Sequence, residues 1–293
     1  MKNVFSVDVE DYFQVEAFSG TIDRATWEER PLRVEANTER VLALLDERKV
    51  KGTFFVLGWV AKRLPHLVRR IADGGHEIAS HGMSHRLIYS QTPEVFRHET
   101  IESKALLEDQ CQTAVIGYRA ATYSITNKSL WALDILHEAG FLYDSSIFPV
   151  WHDKYGIPDA PRLPYRLKTP MGRELVEFPI TILERGSLRV PIGGGGYFRF
   201  FPYAFSRWAL KSVNKEKHPF VFYIHPWEVD PDQPRIENAK ASSRFRHYLN
   251  LDRCEERLRQ LLGDFPFGTM RESLIEAGLL HSAIDPHALR PAA

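Results

Sequence analysis

The sequence lacks the features that mark several large classes of protein. Its 293 residues include only two cysteines, Cys111 and Cys254, which are far apart and belong to no CxxC pair. We therefore predict two buried thiols and no thiolate zinc site. Lys and Arg together number 38, as do Asp and Glu, and the resulting net charge of zero provides no basic field for nonspecific nucleic-acid binding. We expect no nucleic-acid partner.

Long apolar stretches are also missing. No apolar run approaches the roughly 20 residues that span a bilayer. The N-terminus runs directly into the acidic segment Asp8-Val9-Glu10-Asp11, without the roughly 7–15 apolar residues of a signal peptide. The sequence therefore predicts a cytoplasmic protein that does not span the membrane and acts at most at its inner face.

Apolar runs and helical periodicities alternate along the first half of the chain. They predict strands at 4–9, 52–57, 76–80, 115–119 and 141–144, and helices at 37–48, 59–74, 92–110 and 129–139. Such alternation is typical of a parallel sheet or barrel. The segment 150–202 is rich in Pro and Gly, which favours irregular loops and short antiparallel strands inserted in the same domain. We predict one domain over 1–280, with a helix at 251–262 and a C-terminal tail at 281–293.

Polar side chains follow several of these strands, at the sheet edge where α/β folds place their chemistry. Asp8, Glu10 and Asp11 end the first strand, and its period of two puts Asp8 and Glu10 on one face. His81 and His85 are four residues apart and can present two imidazoles to one cation, from a helical turn or a tight loop. A hydrolytic metal site also needs a carboxylate ligand and an open position for water.

Three further polar residues end predicted strands. His225 closes an apolar strand and precedes Pro226 and Trp227, a position that suits a general acid tuned by partial burial, although a neutral core histidine has the same pattern. Arg119 follows the fourth strand, and Asp144, at the end of the fifth, is its predicted ion-pair partner.

Five ordered segments together resemble the polysaccharide deacetylase family of carbohydrate esterases over nearly the whole chain. The likeness is closest to the branch associated with exopolysaccharide loci of bacteria that carry exosortase sorting systems. The segments are Ser-Val-Asp-Val-Glu-Asp-Tyr-Phe, Gly-His-Glu-Ile-Ala-Ser-His-Gly-Met-Ser-His, Tyr-Arg-Ala-Ala-Thr-Tyr-Ser, Tyr-Asp-Ser-Ser-Ile-Phe-Pro and Tyr-Ile-His-Pro-Trp-Glu.

The resemblance implies an α/β fold, a distorted, incomplete (β/α) barrel of the polysaccharide deacetylase type with extra loops and short strands in the C-terminal half. It also implies one divalent metal ion, with zinc favoured over cobalt, nickel or manganese. By this resemblance Asp8 is the catalytic base, Arg119 the residue that orients it, His225 the catalytic acid, and His81 and His85 are metal ligands. From their positions in the sequence we add Asp144 to the catalytic residues, and Tyr123 and Trp227 as substrate-binding residues.

Two positions depart from the family pattern. Most relatives have two adjacent aspartates in the first segment, base and then ligand, but here Val9 follows Asp8. The carboxylate ligand is then Glu10, as in relatives with an Asp-x-Asp arrangement, or Asp11, which has the shorter side chain at the turn. Ala121 also replaces a proline found in many relatives.

The implied activity is metal-assisted hydrolysis of N-acetyl groups from amino sugars. The partner would be an acetylated oligo- or polysaccharide, or a lipid-linked precursor of one. The same scaffold also supports deformylation, O-acetyl ester hydrolysis and the opening of cyclic amides. A catalytically inactive sugar-binding protein is the alternative of another class, but retention of the base, both histidines and the acid argues against it.

Overall fold

The computed structural model of the protein describes residues 1–282, so the predicted tail at 281–293 lies almost entirely outside the described residues. The strands are β1 (Asn3–Val9), β2 (Thr53–Val56), β3 (Glu77–Ser80), β4 (Gly117–Tyr118), β5 (Tyr143–Asp144), β6 (Tyr165–Lys168), β7 (Glu174–Glu177), β8 (Ile182–Arg185), β9 (Leu188–Pro191), β10 (Val221–Ile224) and β11 (Phe267–Gly268).

Most of these strands form one curled sheet. Its order is β10-β1-β2-β3-β4-β5-β7-β6, with β11 beside the start of β1. All of its pairs are parallel except that between β6 and β7. Among the described residues the edge strands β6 and β10 do not pair, so the curl stays open. The predicted incomplete (β/α) barrel is confirmed.

The alternation of side chains along β1 divides its residues between two environments. Phe5, Val7 and Val9 pack in the larger apolar cluster, which includes the helices, whereas Val4 belongs to the cluster inside the barrel. Asp8 lies on the same face as Val4 because the strand period is two. The strand therefore delivers a carboxylate to the barrel interior at its carboxyl end.

Helices connect the strands and cover the outer face of the sheet. They are α1 (Val34–Glu47), α2 (Gly58–Arg63), α3 (Pro65–Asp73), α4 (Pro93–Cys111), α5 (Trp131–Glu138), α6 (Gly195–Phe200), α7 (Tyr203–Lys215), α8 (Ala241–Tyr248), α9 (Cys254–Asp264) and α10 (Met270–Glu276). The helix predicted at 59–74 is in fact two, because Pro65 has no N–H to donate and restricts Leu64, which leaves the helical region at φ −128° and ψ 60°. Both cysteines are buried and free, as predicted.

The segment predicted to be irregular contains two antiparallel pairs, β6–β7 and β8–β9, and then a glycine run. Residues 193–196 are all glycine, and this run packs against β10 before it opens α6. A Cβ on Gly194 would lie 2.5 Å from the Tyr223 ring, so only glycine allows this approach. The run therefore brings α6 against the strand that ends at His225.

Candidate active site

The carboxyl edge of the sheet gathers most of the predicted site residues. Asp8 is the sixth residue of β1, Glu10 follows β1, His81 follows β3, Arg119 follows β4, and His225 follows β10. Because these strands are parallel, their carboxyl ends meet at one edge. Asp8, Glu10, His81 and His225 line a cavity of about 670 Å³ at this edge.

Glu10, His81 and His85 form a buried cluster. One ligand atom from each lies within 4.8 Å of the other two. Glu10 Oε2 is 2.5 Å from His85 Nε2, yet it has no hydrogen-bond partner of acceptable geometry. A buried carboxylate oxygen that approaches an imidazole nitrogen without a hydrogen bond suits two donors that converge on a common cation.

A tight loop, and not a helical turn, orients the two histidines. His85 adopts a left-handed backbone conformation at φ 54°, which is unusual for a residue other than glycine. The loop is fixed by neighbouring backbone: Gly58 donates its N–H to the Gly82 carbonyl at 2.8 Å, and Arg24 donates to the His85 carbonyl at 2.8 Å. Local strain of this kind is maintained only where the surroundings enforce it.

The donor set fits a divalent metal. His81 Nδ1 lies 2.8 Å from the Arg119 carbonyl, and donation to this oxygen leaves Nε2 unprotonated and free to bind. Burial lowers the pKa of His81 to about 4, which keeps the imidazole neutral. Two imidazoles and one carboxylate beside an accessible cavity are a donor set that suits a catalytic divalent metal with an open coordination position.

Asp11, the other predicted carboxylate ligand, lies outside this cluster. Its carboxylate accepts backbone N–H groups from Tyr12 at 2.9 Å, Arg33 at 2.8 Å and Val34 at 2.9 Å. Arg33 and Val34 begin α1, whose first N–H groups have no partners within the helix. Asp11 is therefore occupied in holding the N-terminus of α1, and the structure favours Glu10 as the ligand.

Asp8 is paired with Arg119, the residue that the family resemblance implies should orient it. Arg119 donates to Asp8 Oδ1 at 2.6 Å, and the remaining guanidinium nitrogens bond Ser145. The Tyr123 hydroxyl lies 3.4 Å from Asp8 Oδ2. The base candidate is thus held on one oxygen by a buried cation and approached on the other by a tyrosine that lines the cavity.

The predicted ion pair between Arg119 and Asp144 is wrong. Asp144 is opposite Tyr118 and Glu177 in the ladder, so it lies on the helix-facing side of the sheet, whereas Arg119 points into the barrel. The Ser146 hydroxyl donates to Asp144 at 2.6 Å. Burial raises the pKa of Asp144 to about 6 and raises the pKa of Glu177 well above its usual value.

His225 faces the metal cluster across the cavity. Its Nε2 is 3.6 Å from Glu10 Oε1, and its Nδ1 is 3.0 Å from Glu228 Oε1. Burial lowers the pKa of His225, but the charges of Glu10 and Glu228 outweigh it and raise the pKa to about 9. His225 is therefore a charged histidine held between two carboxylates, and not a neutral core residue.

Residues that sequence reasoning missed build the surroundings of His225. Arg199 donates to Glu228 Oε2 at 2.7 Å, and both side chains are buried. Trp227 stacks on His225 with ring centroids 5.0 Å apart, and His247 stacks on the other side of Trp227 at 4.1 Å. The segment Tyr-Ile-His-Pro-Trp-Glu contained Glu228 three residues after His225, but nothing in the sequence linked it to Arg199.

Comparison with known families agrees with this geometry. Residues 21–143 match the family model described as polysaccharide deacetylase. This part of the chain is a polysaccharide deacetylase domain. Residues 145–275 match a second family, described as a domain of unknown function (DUF3473). The deacetylase match includes His81, His85 and Arg119, whereas Asp8 and Glu10 precede it. His225 lies in the second match.

Individual relatives of this deacetylase family cover only part of the chain. A chitooligosaccharide deacetylase of Sinorhizobium fredii is 33% identical over 99 residues, which are 34% of this chain and 44% of the relative. A peptidoglycan-N-acetylglucosamine deacetylase of Bacillus cereus is 35% identical over 95 residues, 31% of this chain and 34% of the relative. The chain thus spans less than half the length of either relative.

A solved structure matches over a much longer range. A Mycobacterium smegmatis crystal structure assigned to the polysaccharide deacetylases covers 100% of this chain and 96% of its own, with 21% identity and a TM-score of 0.60. At that identity the likeness shows a shared fold. The open barrel, with its carboxyl-edge cavity, is therefore the fold of this deacetylase family.

Proposed function

We propose that the protein is a metal-dependent hydrolase that removes N-acetyl groups from the amino sugars of a bacterial polysaccharide or its precursor. One observation carries the proposal: a buried cluster of Glu10, His81 and His85 lies beside Asp8 and across a cavity from His225. The names of the two curated relatives, which act on chitooligosaccharides and on peptidoglycan N-acetylglucosamine, support an acetylated saccharide as the substrate.

The residues divide the chemistry among them. A divalent cation held by Glu10, His81 and His85 would polarise the acetyl carbonyl and acidify an attacking water. Asp8 accepts the proton of that water through the oxygen not held by Arg119. His225, whose Nδ1 lies 3.0 Å from the carboxylate of Glu228, gives a proton to the departing sugar amine. Tyr123 and Trp227 line the cavity and would contact the sugar.

Acetate release tests the proposal directly. Protein loaded with zinc, cobalt, nickel or manganese is incubated with N-acetylated chitooligosaccharides, and acetate and product mass are measured. Formylated, O-acetylated and cyclic-amide substrates are tested in parallel, because the same scaffold also supports deformylation, ester hydrolysis and the opening of cyclic amides. We expect amide cleavage of the N-acetyl substrate to be fastest, with one metal per chain.

A double variant, His81→Ala with His85→Ala, supplies the negative control. It should hold no stoichiometric metal and release no acetate above background, whereas His66→Ala, which changes an exposed histidine on α3, should behave as wild type. Full metal content in the folded double variant would defeat the metal assignment. A wild-type protein that binds metal but cleaves none of these substrates would defeat the activity.

Several finer features belong to the same proposal. We propose residues 1–280 as one catalytic domain, zinc as the preferred metal, a role in exopolysaccharide biosynthesis of the exosortase-associated kind, and a cytoplasmic protein that meets a lipid-linked or nascent glycan. Among the described residues, no helix is long and apolar enough to cross a membrane. Recovery of the native protein from a periplasmic fraction would contradict the cytoplasmic location.

A further inference from the structure

One stretch of the chain carries charge of a single sign. Residues 185–215 include six basic side chains and no acidic one, in a protein whose net charge is zero. The stretch covers the end of the β8–β9 hairpin, α6 and α7. The proposed catalysis uses only Arg199 from it, so the remaining charge has no role in the site. The basic residues are Arg185, Arg189, Arg199, Arg207, Lys211 and Lys215.

The same stretch exposes a continuous row of aromatic rings. Phe200, Phe201, Phe205 and Trp208, the aromatic row, follow one another with ring centroids 5.2, 4.7 and 5.6 Å apart. Phe200 is 59% exposed and Trp208 49% exposed. An exposed apolar surface of this kind marks an interaction site more often than it occurs by chance.

The hairpin extends the row. Arg185 lies with its guanidinium 5.8 Å from the centre of the Trp208 ring, and it is opposite Leu188 across the β8–β9 turn. Leu188 is 61% exposed. The apolar surface therefore continues from α7 to the tip of the hairpin.

Three of the six cations are not neutralised within the described part of the chain. Arg189 pairs with Glu184, Arg199 with Glu228, and Arg207 with Asp264. Arg185, Lys211 and Lys215 form no ion pair with any described residue. On α7, Phe205, Trp208, Lys211 and Lys215 follow one another at helical spacings of three, three and four, so the cations share a helix face with the two rings.

We propose that this surface, the aromatic row with Leu188, Arg185, Lys211 and Lys215, docks the protein onto an anionic lipid bilayer. Tryptophan and other aromatic rings partition to the bilayer interface, and lysine and arginine extend from an apolar face to anionic headgroups. Two copies related by a two-fold axis would instead bring the same unpaired cations together. Lysine is also depleted in protein–protein interfaces.

Docking of this kind has a consequence for the substrate. Phe200, at one end of the aromatic row, directly follows Arg199, which lines the cavity. A docked protein would hold one side of its cavity near the membrane surface, where the sugar of a lipid-linked saccharide lies. This consequence rests on the proposed function, but the docking itself does not.

Vesicle sedimentation tests the docking. The full chain is mixed with vesicles of phosphatidylcholine alone, or with vesicles that also contain about 30% phosphatidylglycerol. This anionic fraction gives the vesicles a negative surface potential. We expect binding to the anionic vesicles, weakened by salt. Trp208→Ser with Leu188→Ser should weaken it by about tenfold or more, since burying one apolar side chain contributes about that factor. Lys211→Ser with Lys215→Ser should remove the preference for anionic lipid.

Matched controls change exposed residues outside the surface. Met171→Ser with Ile101→Ser replaces side chains that are 67% and 51% exposed, and Arg69→Ser with Lys128→Ser replaces two exposed cations. Both should bind as wild type. Failure of the wild type to bind anionic vesicles, or equal losses in controls and surface variants, would overturn the proposal.

Two more measurements, light scattering and acetate release, distinguish membrane docking from dimer formation and from an effect on catalysis. If Trp208→Ser with Leu188→Ser converts a dimer to a monomer in light scattering, the surface joins protein copies and the docking proposal fails. Acetate release from a soluble chitooligosaccharide should not change in this variant, because neither residue lines the cavity. A wild type that binds vesicles but releases no acetate would contradict only the proposed function.

Discussion

On one wall of the cavity, Glu10 follows strand β1 directly, and His81 and His85 follow β3 within five residues on one tight loop. On the opposite wall, His225 follows β10 just as directly, but the side chains that hold its neighbours Glu228 and Trp227, which are Arg199 and His247, come from distant segments. The first wall lies in and just before the matched deacetylase segment, and the second lies in the match of unknown function. Local sequence thus determines the metal wall, and tertiary packing determines the acid wall.

The difference arises from the number of charges that each wall must balance. In the cluster of Glu10, His81 and His85, burial lowers the pKa of His81 and so keeps that imidazole neutral. A protonated His225 needs negative neighbours, and Glu228 can remain charged in a buried site only because Arg199 pairs with it. Burial raises the pKa of Glu228, yet Arg199 and His225 lower it to about 2.

The largest expected effect lies on the metal wall. Glu10→Gln should remove the bound metal and reduce acetate release to background, because an amide carries no charge to neutralise the cation. Asp11→Asn should keep the metal and cost about 1–3 kcal/mol of unfolding free energy, since it disturbs acceptors of the α1 N–H groups. Metal analysis and urea unfolding measure the two effects. The reverse pattern would make Asp11 the ligand.

The next effect concerns the base between the two walls. Asp8→Asn should retain the metal and lose about 10²–10⁴-fold in rate, the usual contribution of a general base. Metal content and acetate release are measured on the same preparation. If Asp8→Asn loses its metal, Asp8 is a ligand and the base must be sought among the other carboxylates.

A smaller and more selective effect is expected at the acid wall. His225→Ala should keep the metal and slow amide hydrolysis, with a weaker effect on an activated aryl ester whose leaving group needs no proton. The ratio of the two rate losses is the measurement. Equal losses on amide and ester would make His225 a structural or positioning residue.

The glycine run tests whether packing determines the acid wall. A Cβ on Gly195 would lie 2.3 Å from either carboxylate oxygen of Glu228, whereas nothing lies within 4 Å of a Cβ on Gly196. Gly195→Ala should therefore displace Glu228 at a cost of about 1–3 kcal/mol and slow the amide more than the aryl ester. Gly196→Ala, its neighbouring control, should be close to wild type in unfolding and in rate. Similar results for both variants would show that Glu228 tolerates the displacement.

The same contrast explains how far the sequence alone could lead. Strand periodicity placed Asp8 and Glu10 on one face, and the order of parallel strands brought His81 and His225 to the same edge, because both are local properties. The choice between Glu10 and Asp11 depends on the position of the α1 N-terminus, more than twenty residues later along the chain, and periodicity contains no such information.

One wrong expectation and one unforeseen contact have identifiable physical causes. Arg119 and Asp144 do end adjacent strands, but their side chains lie on opposite faces of the sheet, and a register error of one residue reverses the face. The glycine run at 193–196 has the composition of a loop, yet its role is close packing against β10. Composition indicates where a chain can bend but does not show what it approaches.

A further expected effect is the pH dependence of stability at Asp144 and Glu177. Asp144 and Glu177 are fully buried, and burial raises both pKa values above those of the unfolded chain. Between about pH 4 and pH 6 the folded protein then keeps protons that the unfolded chain releases. The contribution to stability is therefore complete at low pH and is lost as the pH rises, by about 1.4 kcal/mol per pH unit for each retained proton.

Asp144→Asn removes one of these carboxyls and should flatten the slope, whereas Asp159→Asn, at an exposed position, should not. Urea unfolding at several pH values gives the slopes, and equal slopes in the two variants would mean that the carboxyls titrate normally. Because Asp144 faces the helices, its variant should also lose far less activity than Asp8→Asn. A loss of similar size would instead support the catalytic role that we predicted for Asp144 from the sequence.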